Sequence, residues 1–243
     1  MASSIENYRN MVEQPWGKMF YDLIFRQLDI SNDKRLKILD CGAGFCITSD
    51  HYAGEHDVTA LEPEEEMRKL RVHNHDYALI SEGVEYLKKV EGHSFDLVIC
   101  HNVLEYVDNV QEVLTQFKRV LKPGGMLSIV KHNEPGKVMA YAVLNDNPKA
   151  ALDLLAKEEA EDSAFGQRNL YDDSRLSEFL ADEMVLVKNC GIRTFFGLSS
   201  NNDVKFTDEW YNSMFELELK TCAMEEFQKI AFYHYLIYRK TKA

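Results

Sequence analysis

The chain has 243 residues, 45% of them hydrophobic and 28% charged, which describes a folded globular protein and excludes disordered, collagenous and membrane-spanning classes. With 40 Asp and Glu against 28 Lys and Arg the formal charge is −12, so the surrounding field repels DNA and anionic membranes. Five cysteines, at 41, 46, 100, 190 and 222, form no Cys-x-x-Cys pair and are odd in number, as expected in a reducing, cytoplasmic compartment. The eight histidines show no metal-ligand spacing, and no metal is expected.

Residues 5–29 read as helical with a break at Pro15. The period then changes. Leu36 to Asp40 is a strand, Cys41-Gly42-Ala43-Gly44 a turn, and a helix runs to Tyr52, which together open a nucleotide-binding βαβ unit. Val58 to Leu61 gives a second strand, Glu64 to Val72 a helix, Tyr77 to Ser81 a third strand, and Phe95 to Cys100 a fourth that is apolar on both faces. Val110, Val113, Leu114, Phe117, Val120 and Leu121 form one helical stripe that Lys122-Pro123-Gly124-Gly125 ends, before a fifth strand at 126–130.

Such alternation predicts an α/β fold: a Rossmann-like, mostly parallel, doubly wound sheet of seven strands with helices on both faces. Further on, 137–160 and 174–182 read as helices, 184–196 as a strand, 208–227 as helical, and Phe232 to Tyr238 as an antiparallel final strand.

Chemistry concentrates at the carboxyl edge of the predicted strands. Gly42 and Gly44 let a ligand approach backbone that carries no Cβ. A dinucleotide site wants a third glycine at position 47, where this chain has Ile47, which counts against NAD and FAD. Glu62, twenty residues after Gly42, stands where an acidic side chain takes the ribose hydroxyls of an adenosine. His101 follows the fourth strand and His132 the fifth, at the same edge.

Asp40-Cys-Gly42-Ala-Gly44, Glu62, the strand ending in His101 and Lys122-Pro-Gly-Gly125 together resemble the class I S-adenosylmethionine-dependent methyltransferases, over about residues 35–131. More narrowly, His101-Asn-Val-Leu-Glu105, Gly191-Ile-Arg193-Thr-Phe195 and Glu216-Leu-Glu218 are similar to the bacterial tRNA methyltransferases that esterify the carboxymethoxy group of wobble uridine. Two positions depart from these patterns. Cys46 replaces a third glycine, and Phe20 stands where the tRNA family has a cofactor-facing arginine.

The resemblance implies S-adenosylmethionine as cofactor, with S-adenosylhomocysteine as product. Asp40, Gly42, Ala43 and Gly44 would receive its methionine end, Glu62 its ribose, Glu82, Gly83 and Val84 its adenine side, and His101 would lie by the sulfonium. The chain is then a single methyltransferase domain, 1–243, with an N-terminal helical cap at 1–33 and an inserted substrate lid at 132–173. That insertion is far longer than the usual ~2 to 6 residue connection. Trp16, Tyr21, His132, Arg168 and Tyr171 are the expected acceptor contacts. A small-molecule acceptor is the expected partner and tRNA the alternative, with no role for DNA or a membrane. A cofactor-binding protein without turnover is a further alternative.

Overall fold

Prolines and glycines punctuate the chain where its hydrophobic period changes, and the computed structural model places an element in nearly every interval; it describes residues 4–28, 30, 34–156, 162–163, 166–167 and 173–241. Pro15 separates α1 (Ser4–Val12) from α2 (Pro15–Gln27), taking the first helical position, where its missing N–H costs nothing. Next come β1 (Lys37–Cys41), α3 (Ile47–Ala53), β2 (Asp57–Leu61), α4 (Glu65–Lys69), β3 (Ala78–Ile80) and β4 (Phe95–His101). They are followed by α5 (Val110–Val120) and β5 (Leu121–His132). The remainder is α6 (Glu134–Met139), α7 (Pro148–Ala156), α8 (Asp173–Leu180), β6 (Met184–Ile192), α9 (Asp208–Thr221), α10 (Glu225–Gln228) and β7 (Tyr233–Lys240).

Seven strands form one sheet in the order β3-β2-β1-β4-β5-β7-β6. Strands β3, β2, β1 and β4 pair in parallel, and the β5-β7-β6 side is antiparallel, as the sequence leads one to expect. Two-residue strands at Asp162–Ser163 and Gly166–Gln167 make a separate antiparallel pair. Internal contacts divide the chain into two compact units. The first gathers Met1–Asp29, Val130–Arg168 and Asn189–Tyr235; the second gathers Ile30–Ile129, Asn169–Lys188 and Leu236–Ala243.

Leu39, Val98, Cys100, Phe117, Leu127, Ile129 and Leu236, all fully buried, lie in the core of the second unit. In α5 the buried Val113, Leu114, Phe117 and Val120 follow the predicted stripe, and Asn109 caps the helix by accepting the Glu112 N–H at 3.0 Å. Several predicted boundaries move; the strand expected over 184–196, for one, ends at Ile192, and the helical stretch expected over 208–227 breaks after Thr221. The helix expected over 64–72 stops at Lys69, and the chain turns so that the Val72 N–H donates to the Phe45 carbonyl at 2.8 Å. Lys122-Pro123-Gly124-Gly125 does not separate α5 from its strand but lies within β5. Gly124 there has φ +78°, and a Cβ on Gly125 would come within 3.0 Å of the Asp96 carbonyl, so these glycines serve strand packing.

Two buried lysines close the carboxyl end of α5. Lys118 reaches Asp182 at 2.7 Å, and Lys240 donates to the Lys118 and Leu121 carbonyls at 2.5 and 3.1 Å. A cation there satisfies carbonyls that have no helical partner and opposes the negative end of the helix dipole. Lys240→Met should therefore destabilise the protein by about 2 kcal/mol, read as a lower denaturant midpoint at unchanged slope.

Candidate functional site

In the second unit the turn after β1 is built from three left-handed residues in alternation, Gly42 (φ +73°), Gly44 (φ +55°) and Cys46 (φ +56°). The position where the resemblance lacks a glycine thus keeps the glycine conformation, with a cysteine accepting a cost of roughly 1–2 kcal/mol. The turn is tied to β2. Gly42 and Ala43 donate their N–H groups to the Leu61 carbonyl at 2.9 Å, and Gly44 donates to Glu62 Oε2 at 2.6 Å. The other oxygen of Glu62 accepts the Glu64 N–H at 2.8 Å.

Glu62 is only 5% exposed, and burial raises its pKa. Each carboxylate oxygen carries two lone pairs, so one on each remains for a ligand hydroxyl. Asp40, 3% exposed, accepts the Ser49 hydroxyl at 2.6 Å. Burial pushes its pKa up to about 6, with the charge of Glu62 adding to the rise.

The two glycines differ in what they face. A Cβ on Gly42 would strike the Val103 side chain at 2.3 Å, so Gly42 is required by the segment after β4 and not by ligand space. A Cβ on Gly44 would meet only the Met67 sulfur, at 3.8 Å, and so points into open space. Strand pairing puts the remaining expected residues at this edge: Glu82, Gly83 and Val84 follow β3, and His101 ends β4. Glu82 is paired with Lys89 at 2.6 Å. His101 Nε2 meets the Ser128 hydroxyl at 2.8 Å, and burial lowers its pKa to about 3, so the imidazole is neutral at physiological pH. A groove of about 610 Å³ lies at the opposite, amino edge of β1 to β4, lined by residues such as Lys37, Asp57 and Phe95, none of them from the motif.

The expected acceptor contacts Trp16, Tyr21 and His132 belong to the first unit. Tyr21 packs edge-on against Phe20, Phe20 against Tyr233, and the His132 ring lies 4.7 Å from that of Tyr233, so Tyr21 and His132 join one aromatic row. Phe20, in place of the arginine, is a member of that row. Arg168 and Tyr171 lie outside the described residues.

The segments Gly191–Phe195 and Glu216–Glu218 meet here. Glu218 accepts the N–H groups of Thr194, Phe195 and Phe196 at 2.9, 2.8 and 2.8 Å. Sequence reasoning did not anticipate this clamp, nor the left-handed Arg193 (φ +60°) that precedes it. A buried carboxylate in the last turn of a helix carries no short-range signal of its partner.

Residues 39–129 match the family model for a methyltransferase domain. Over residues 39–129 this is a methyltransferase domain. Among curated proteins, the ubiquinone biosynthesis O-methyltransferase of Hahella chejuensis is 25% identical over 157 residues, 58% of this chain and 66% of that protein. The tRNA 5-carboxymethoxyuridine methyltransferase of Escherichia coli is 22% identical over 248 residues, 97% of this chain and 93% of that protein. The chain spans between 46% and 66% of the length of the first curated relatives it matches. An S-adenosylmethionine-dependent methyltransferase structure from Mesorhizobium loti shares the fold of this chain, with TM-score 0.58 and 17% identity over 91% of this chain and 97% of that one.

Asp40 generates a test. Its folded pKa lies above its unfolded value of 3.8, so its contribution to stability is full below pH 3.8 and is lost as pH rises through 6. At about 1.4 kcal/mol per pKa unit the loss is on the order of 3 kcal/mol. Asp40→Asn removes the charging cost, so its melting temperature should rise relative to the parent between pH 4.5 and pH 8. A constant difference across that range would show that Asp40 does not titrate as described.

Proposed function

We propose that the protein is an S-adenosylmethionine-dependent methyltransferase that passes a methyl group in line to a small-molecule acceptor that is already ionised, a carboxylate. The observation that carries the reading is Glu62, buried at the carboxyl end of β2 and hydrogen-bonded to Gly44 of the left-handed turn. The charge of the site fits the cofactor. Two buried carboxylates, each held above its ordinary pKa, favour a ligand that brings net positive charge and disfavour a pyrophosphate. When bound, S-adenosylmethionine supplies an electrophilic methyl on a sulfonium, whose leaving group takes no proton.

The chain's own residues then bind, orient and exclude water. Glu62 takes ribose hydroxyls, the open side of Gly44 admits the methionine end, and Glu82 to Val84 flank the adenine. A neutral His101 places no positive charge beside the sulfonium. With a pKa near 3 it is also a poor general base at pH 7, which suits an acceptor that arrives deprotonated. Most of the acceleration comes from positioning. Five cysteines outside any disulfide, four of them buried, support a cytoplasmic site of action.

A tRNA carboxymethoxy group is the second reading, favoured by the end-to-end match to the tRNA enzyme and opposed by the net charge of −12. Radiolabelled methyl transfer to total tRNA and to a metabolite extract separates the two. Label in tRNA selects the second, and label in neither sinks both.

Glu62→Gln should weaken S-adenosylhomocysteine binding by roughly 10-fold or more in calorimetry, because a hydrogen bond to a charged group contributes about 1.5–3 kcal/mol. With the true acceptor and saturating cofactor, kcat/KM should be flat from about pH 7.5 to 9, above the titration of Asp40. A rising limb in that range would reveal a general base and overturn the carboxylate assignment.

A further inference from the structure

Arg193 leaves β6 in a left-handed conformation, and the clamp of Glu218 on the next three N–H groups fixes the turn. The guanidinium lies across three rings, its carbon 5.5 Å from the centres of Phe196 and Phe232 and 5.9 Å from that of Tyr233. Its Nε is buried and has no hydrogen-bond partner among the described residues. A buried charged donor left without an acceptor is costly, and the fork of a guanidinium matches the two oxygens of a carboxylate.

A second cation serves the same place. Lys205, 5% exposed, sits 4.9 Å from the centre of the Phe196 ring and donates to the Ser199 carbonyl at 2.8 Å and to Asn202 Oδ1 at 3.0 Å. Burial, and then the like charge of Arg193, lower its pKa; an anion beside both would relieve that repulsion. Phe196 is buried and forms a floor, whereas Phe232, Tyr233 and His132 are partly exposed and form a wall, with His132 5.8 Å from Phe232 and 4.7 Å from Tyr233.

We propose that Arg193, backed by Lys205, is the anion-reading centre of a binding site for a monoanionic aryl carboxylate, whose ring lies against Phe232, Tyr233 and His132. One forked donor between aromatic rings suits a single carboxylate on a flat ring. A phosphodiester chain would call for a row of cations. The site deepens the reading of an ionised acceptor, but its test uses no cofactor, so failure of either is distinguishable from failure of the other.

Trp210, whose ring lies 5.6 Å from that of Phe196, is the reporter. The chain has two tryptophans, so Trp16→Phe leaves Trp210 as its sole indole. Benzoate, benzamide, inorganic phosphate and an RNA oligonucleotide are titrated against this variant at constant ionic strength, following Trp210 emission. Benzoate should saturate, with benzamide and phosphate each at least 10-fold weaker. Arg193→Gln should weaken benzoate at least 10-fold with the near-UV circular dichroism retained, and Arg193→Lys should fall between. Equal affinity for benzoate and benzamide, saturation by neither, or benzoate binding unchanged in Arg193→Gln overturns the proposal. Phosphate binding as tightly as benzoate, or RNA binding that depends on Arg193 where benzoate does not bind, overturns the aryl class. If Arg193→Gln does not fold, the comparison of benzoate with benzamide on the Trp16→Phe protein decides.

Discussion

One carboxylate holds the carboxyl edge of β1 and β2 together. Glu62 joins the end of β2 to the turn leaving β1 by accepting the Gly44 N–H, and it braces its own strand exit through the Glu64 N–H. Gly44 presents that N–H because residues 42, 44 and 46 alternate into left-handed backbone. Parallel pairing of β2 with β1 and of β1 with β4 then fixes where Glu62, the turn and His101 stand relative to one another. Remove that tie, and the turn has neither its shape nor a reason to keep glycine at 44.

The charges at this edge are unusual in a consistent direction. Asp40 and Glu62 are buried acids whose ionisation the surroundings resist, and His101 is a buried base whose protonation they resist. All three are held towards neutrality by loss of water. A ligand with net positive charge offsets the cost of ionising the two acids and meets no repulsion from the histidine. In the proposed reading that advantage falls once the sulfonium has given up its methyl, which favours product release over product retention.

Much of this was legible in the sequence, and the reasons are local. Gly-Ala-Gly after an apolar run, an acid twenty residues on and a histidine closing the fourth strand each sit within a few residues of a strand end, where pattern and position coincide. The α5 stripe was equally plain because its period extends over three turns. What escaped reading depends on long-range contact. Cys46 keeps a glycine's backbone conformation, Gly42 is reserved for Val103 across the sheet edge, and Lys122-Pro-Gly-Gly joins β5 because Gly125 packs on Asp96. The clamp of Glu218 on residues 194–196 spans more than twenty residues and leaves no spacing rule behind. Arg193 stood out only as part of a segment of resemblance; its environment of three rings comes from elements as far along the chain as Phe232 and Tyr233.

The central claim is that the left-handed turn and Glu62 form the cofactor cradle, and a crystal structure of the protein with S-adenosylhomocysteine tests it most directly. The account expects the ribose hydroxyls on the Glu62 carboxylate, the methionine end against Gly44, and the Gly44 N–H bond to Glu62 retained. Density for the ligand elsewhere, or a ribose that does not touch Glu62, would contradict it.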